Sequence, residues 1–155
     1  HYHIFFMTLK ERLSQDMKAA MKANDQAALR TVRSLKAEIM KAEVAENQTG
    51  ALTEADEMKI LMKAAKQRKD AVAQYTENGR EDLATTEKEE LAVLERYLPQ
   101  QLTGAELEAK VKEIIEAVGA SSMKDMGKVM GTASKQLAGQ ADGKEMSSIV
   151  KKLLA

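Results

Sequence analysis

The chain has 155 residues with 24 basic and 24 acidic side chains, so its formal net charge is zero; 44% of residues are hydrophobic and 31% charged. That apolar share excludes a disordered chain, which needs fewer apolar residues or a larger net charge. The absence of cysteine excludes disulfides, thiolate nucleophiles and cysteine-based zinc sites.

Both histidines, His1 and His3, lie in the opening HYHIFF. Met7 is expected to be the natural start, because MTLKERL opens a helix, and residues 1–6 read as a leader outside the fold. This leader is too short for a secretory signal. The longest apolar runs in the chain are only a few residues, too short for a membrane span. The expected location is therefore the cytoplasm, with no membrane contact, no metal and no cofactor.

Thr8 and Glu11 stand at capping-box spacing before a stripe of Leu9, Leu13, Met17, Ala20 and Met21. Asn24 breaks this first helix and Asp25 caps a second, which gathers Ala28, Leu29, Val32, Leu35, Ile39 and Met40 on one arc and ends at Gln48-Thr49-Gly50. Thr53 and Asp56 open a third helix, with Met58, Leu61, Ala65, Val72 and Tyr75 on its apolar side, stopped by Asn78-Gly79. A fourth runs from about Leu83 through Leu91, Leu94 and Leu98 to Pro99, the single proline.

Three shorter helices follow. Thr103 and Glu106 begin the first, which carries Leu107, Val111, Ile114, Ile115 and Val118 and ends at Gly119. Ser122 or a neighbour caps the next, with Met123, Met126, Met130, Ala133 and Leu137 as its stripe. Asp142 and Glu145 open the last. No segment alternates with period two between hairpin turns, so the expected fold is all-α. It comprises an N-terminal long-helix bundle over 7–98 and a small C-terminal three-helix domain over 99–155.

Two charges fall on apolar arcs. At 100° per residue Arg68 lies between Ala65 and Val72, and Glu87 lies between Leu83 and Leu91 with Glu90 at the arc's edge. Unpaired buried charges are too costly to keep. A structural ion pair of Arg68 with Glu87, extended to Glu90, is expected across helices three and four; the alternative is a polar groove in which these charges face a ligand.

The serines sit in helices or at caps, and no phosphate loop or dinucleotide fingerprint is present, so no catalytic residues are assigned. Binding is better supported. Arg30, Arg33 and Lys41 on the second helix, with Lys59, Lys63 and Lys66 on the third, would form a basic strip able to hold RNA by its backbone, or else ordinary solvated faces. In the second half Lys124, Lys128 and Lys135 stand beside Gly127 and Gly131. Glycines four apart permit close helix packing, or the approach of a phosphate.

The blocks Arg80–Ala84 (REDLA), Tyr97–Leu102 (YLPQQL) and Asp125–Gly131 (DMGKVMG) give Met7–Ala155 a resemblance to the YqeY-like family of bacterial type. That family is similar to the tail domain of GatB, the B subunit of the glutamine-dependent aspartyl/glutamyl-tRNA amidotransferase. The resemblance implies an all-helical fold and an accessory module without catalytic apparatus of its own. Its implied partners are tRNA, or amidotransferase subunits or another protein docked through a helical groove. It implies that the helix around Asp125–Gly131 helps to form a tRNA-facing surface. It also carries the family label of a carbon–nitrogen ligase with glutamine as amido-N-donor.

Overall fold

The computed structural model describes residues 7–155, so the leader expected over 1–6 lies outside the described residues. The described residues form seven α-helices and one 3₁₀ turn, without a strand. The fold is all-α. The chain divides at Leu98/Pro99 into two compact units.

In the first unit, α1 spans Leu9–Ala23 and starts where the Thr8 hydroxyl accepts from the Glu11 N–H at 3.1 Å. Asn24 closes it in the left-handed region at φ 55°, and Asp25 caps α2, Gln26–Glu43, by accepting from the Ala28 N–H at 3.1 Å. Each such cap contributes about 1 kcal/mol. The helix α2 stops at Glu43, short of the expected Gln48–Gly50, and the chain continues in turns. The apolar arc has run out by then: Val44 is 82% exposed, so another turn would bury nothing.

A capping box opens α3, Glu54–Glu77, with Thr53 N–H donating to Asp56 Oδ2 at 2.9 Å and Asp56 N–H donating to Thr53 Oγ1 at 3.1 Å. Gly79, at φ 71°, ends it. The Arg80 N–H then reaches the Tyr75 carbonyl at 2.8 Å and the Gly79 N–H reaches that of Thr76 at 3.1 Å, the bonding of a Schellman motif. α4, Glu81–Glu95, begins two residues before Leu83, with Glu81 and Asp82 placed favourably at the positive end of its dipole.

α1 packs on α2, α3 packs on α4, and the two hairpins meet mainly through α2 and α4; α2 touches α3 only sparingly. Leu13, Val32, Leu35, Ile39 and Leu94 fill the core. Met40, expected on the inner arc of α2, is 49% exposed, because Leu35 and Ile39 already occupy the buried side. Thr31 is fully buried and satisfies its hydroxyl by donating to the Ala27 carbonyl at 2.8 Å.

The second unit comprises α5 (Gly104–Val118), a 3₁₀ turn (Met123–Asp125), α6 (Met126–Gln136) and α7 (Gly143–Leu154). Glu106 Oε1 accepts from the Thr103 N–H at 3.2 Å, and Asp142 Oδ1 accepts from the Glu145 N–H at 2.8 Å. Leu107, Val111, Val129, Ala133 and Val150 form its core. Met123 was expected in the stripe of α6; it lies instead on the 3₁₀ turn and is 45% exposed.

Candidate nucleic-acid interface

α6 has two sharply different sides. Val129 and Ala133 are fully buried, with Met126 and Met130 packed beside them. Gly127, Lys128, Gly131, Ser134 and Lys135 are exposed, as is Lys124 in the preceding turn. At 100° per residue these positions share the outer face. The glycines pack against nothing: a Cβ built on Gly127 or Gly131 finds no atom within 4 Å. Close helix packing is thus not their role within this unit.

The start of this face is well fixed. Asp125 Oδ2 accepts from the Ser121 N–H at 2.9 Å and the Ser122 N–H at 3.4 Å, which holds the carboxyl below the ordinary carboxylate range. Lys128 extends its ammonium to the Val118 carbonyl at 3.0 Å, closing the C-terminal end of α5. Lys124 and Lys135 make no salt bridge among the described residues, whereas Lys110, Lys112 and Lys152 on α5 and α7 sit against Glu113 or Glu108. No aromatic side chain occurs after Tyr97, so this unit has nothing on which a base could stack.

The six basic residues expected to make a strip on the first unit have different surroundings. Arg30 turns to α4, its Nε 3.0 Å from Glu90 Oε2 and its Nη2 3.8 Å from Glu89. Lys66 pairs with Asp70 at 2.9 Å on its own helix. Arg33 and Lys59 are exposed on α2 and α3. Lys41 and Lys63 border a groove between α2 and α3.

Arg68 meets Glu90, not Glu87. Its Nη2 lies 3.3 Å from Glu90 Oε1 and donates to Ser34 Oγ at 3.2 Å, while Nη1 donates to the Ala64 carbonyl at 3.2 Å. Arg68 and Glu90 keep only 11% and 16% of their side-chain surface exposed. Glu90 lies one turn beyond Glu87, where Arg30 of α2 also reaches it, so a single carboxylate serves two guanidiniums. Arg68 Nε remains buried without a partner. Glu87 is half-buried and has no ion pair among the described residues.

A second cluster carries no sequence signal beyond the i,i+4 spacing of Arg12 and Asp16. The buried Tyr97 donates its hydroxyl to Asp16 across 81 residues of chain, and Arg12 lies over its ring, 4.4 Å from the centroid. Arg12 Nη2 also donates to the Arg96 carbonyl at 2.9 Å. Burial, then the hydrogen bond to Asp16, push the Tyr97 phenol well above its ordinary value. This cluster pins the end of α4 to α1.

Among the described residues no group of three or more His, Cys, Asp or Glu is placed to hold a metal ion, and no helix is long and apolar enough to cross a membrane. Fold and surface together define a helical chain of two units, each carrying exposed lysines. A family model described as Yqey-like protein matches residues 10–154, and the chain belongs to the YqeY-like family. It is similar to altered inheritance of mitochondria protein 41, mitochondrial, of Vanderwaltozyma polyspora, with 32% identity over 74% of this chain and 64% of the relative. The protein of the same name in Kluyveromyces lactis is 34% identical over 66% of this chain and 56% of the relative. That of Pyrenophora tritici-repentis is 28% identical over 88% and 75% respectively. The chain spans about 56–64% of the length of the first two. These relatives are named as mitochondrial, which corrects the cytoplasmic location expected from the sequence, and their organisms lend no support to the expected bacterial type.

Proposed function

We propose that the chain is an RNA-binding accessory module, directed at tRNA, whose contact surface is the outer face of α6. The supporting observation is the pair Gly127 and Gly131, exposed, with open space where side chains would be, and framed by Lys124, Lys128 and Lys135. Glycine in a helix costs about 1 kcal/mol relative to alanine. Nothing inside this unit offsets that cost. A bare helix surface lets a phosphodiester backbone come close, and lysines beside it supply charge attraction.

Without aromatic side chains the unit would recognise the shape and backbone of a helical RNA and not its bases. The resemblance of Asp125–Gly131 to the tail domain of GatB favours tRNA among RNAs. The mitochondrial names of the relatives favour action in that compartment. No catalytic residue enters this function.

The test is an electrophoretic shift of total tRNA by the full chain across a salt series. Binding is expected to fall steeply as salt rises. Lys124→Glu with Lys135→Glu, and separately Gly131→Glu, should each weaken it at least tenfold. Lys128 is left intact because it closes α5. Wild-type retention no greater than that of an acidic control protein would overturn the proposal.

A further inference from the structure

The groove between α2 and α3 belongs to neither the Arg68 cluster nor the face of α6. It has a volume of about 290 Å³, and its floor is made of Ala42, Ala45, Ile60 and Ala64. The floor residues end in methyl groups and three of the four are alanine, so a third helix could approach α2 and α3 closely. Its lining residues run from 38 to 42 on α2, with Ala45 just past the end of that helix, and from 60 to 67 on α3, about two helical turns or roughly 10 Å along the α3 wall. Beside its open end Val44 is 82% exposed.

Lys41 and Lys63 stand on the rim, both exposed and neither in a salt bridge among the described residues. Lys59 is exposed one turn before Lys63 on α3. Glu38 is the one carboxylate of the lining, which leaves the rim net positive.

We propose that this groove receives an acidic amphipathic helix of a partner protein. Its aliphatic side chains would cover Ala42, Ala45, Ile60 and Ala64, and its carboxylates would reach Lys41 and Lys63. Lysine alone would serve an RNA phosphate equally well, so the floor decides between the two. A phosphodiester backbone held by lysines gains nothing from a floor of methyl groups, and this floor is made of them. An amphipathic helix gains from covering methyl groups, as helix-in-groove recognition does. The groove lies on the first unit, and the proposal stands whether or not the α6 face binds RNA.

The probe is a synthetic helical peptide of about 15 residues, long enough to form a helix, with leucines on one face and glutamates flanking them. It is titrated into the full chain while backbone amide resonances are followed. Shifts are expected at residues 38–45 and 60–67 and not on α6. A peptide of the same composition with the leucines scattered should bind at least tenfold more weakly. Lys41→Glu with Lys63→Glu should weaken the amphipathic peptide at least tenfold. Ala45→Arg, at an exposed floor position, should do the same without altering the helical circular dichroism. Absence of peptide-induced shifts in this groove would overturn the proposal. So would shifts there on adding tRNA while the peptide produces none.

Discussion

Arg68 Nη2 and Glu90 Oε1 lie 3.3 Å apart, and the second oxygen of the same carboxylate takes Arg30 Nε at 3.0 Å. One acidic side chain of α4 thereby ties α2 and α3 together. Removing it leaves two guanidiniums without their shared counter-charge. Glu90→Ala is expected to destabilise the chain by about 3 kcal/mol, the range for breaking a largely buried pair. Glu87→Ala should cost less than about 0.5 kcal/mol. Urea denaturation of both variants, with a double-mutant cycle on Arg68, checks this. Coupling of Arg68 to Glu87 in place of Glu90 would contradict the assignment.

Gly127 and Gly131 have helical neighbours and open space around them. Replacing either by alanine should stabilise the chain by about 1 kcal/mol, because the backbone freedom lost on folding is smaller. Thermal or chemical denaturation provides the measurement. A loss of stability would mean that the glycines serve packing after all.

Tyr97→Phe removes the hydroxyl that donates to Asp16 but keeps the ring under Arg12. The cost should be about 1 kcal/mol, since Asp16 remains partly open to water. The folded phenol titrates above the ordinary value of 10.0, so its contribution is complete below that pH and fades as pH rises through it towards the folded value. The gap in stability between wild type and Tyr97→Phe should therefore narrow on going from pH 8 into the alkaline range, by about the size of the neutral-pH effect.

Glu106 is held below its ordinary value of 4.5 by hydrogen bonds from the side chain and backbone of Thr103. A depressed carboxylate stabilises the fold fully above its unfolded value, and that stability is lost as pH falls past 4.5 and through the lower folded value. Glu106→Gln retains an acceptor for the Thr103 N–H but has no charge to titrate. Its melting temperature should match wild type more closely at pH 3 than at pH 7. Equal differences at both pH values would show that the cap carries no titrating part.

Local chemistry alone identified the helices. Thr53 with Asp56, Thr103 with Glu106 and the Gly79 stop act within a few residues, so their patterns survive in the linear chain. Side-chain periodicity found the inner faces, and failed at Met40 and Met123, where the arc was already full or the helix had not yet begun. Basic residues were visible too, but not which of them the fold would consume: Arg30 and Lys66 turn to carboxylates, while Lys41 and Lys63 border a groove.

By itself the sequence determined that this chain is helical, where most helices start and stop, and that Arg68 needs an acidic partner. Only the tertiary structure decided that the partner is Glu90. Glu87 and Glu90 differ by one turn and 60° on the same helix, a difference that no pattern within α4 can resolve. It is settled where α2 brings Arg30 to the same carboxylate, and by the rotation of α4 against α3. The tie between Tyr97 and Asp16 belongs to the same class: its two ends are 81 residues apart, and only the packing of α1 against the end of α4 brings them together.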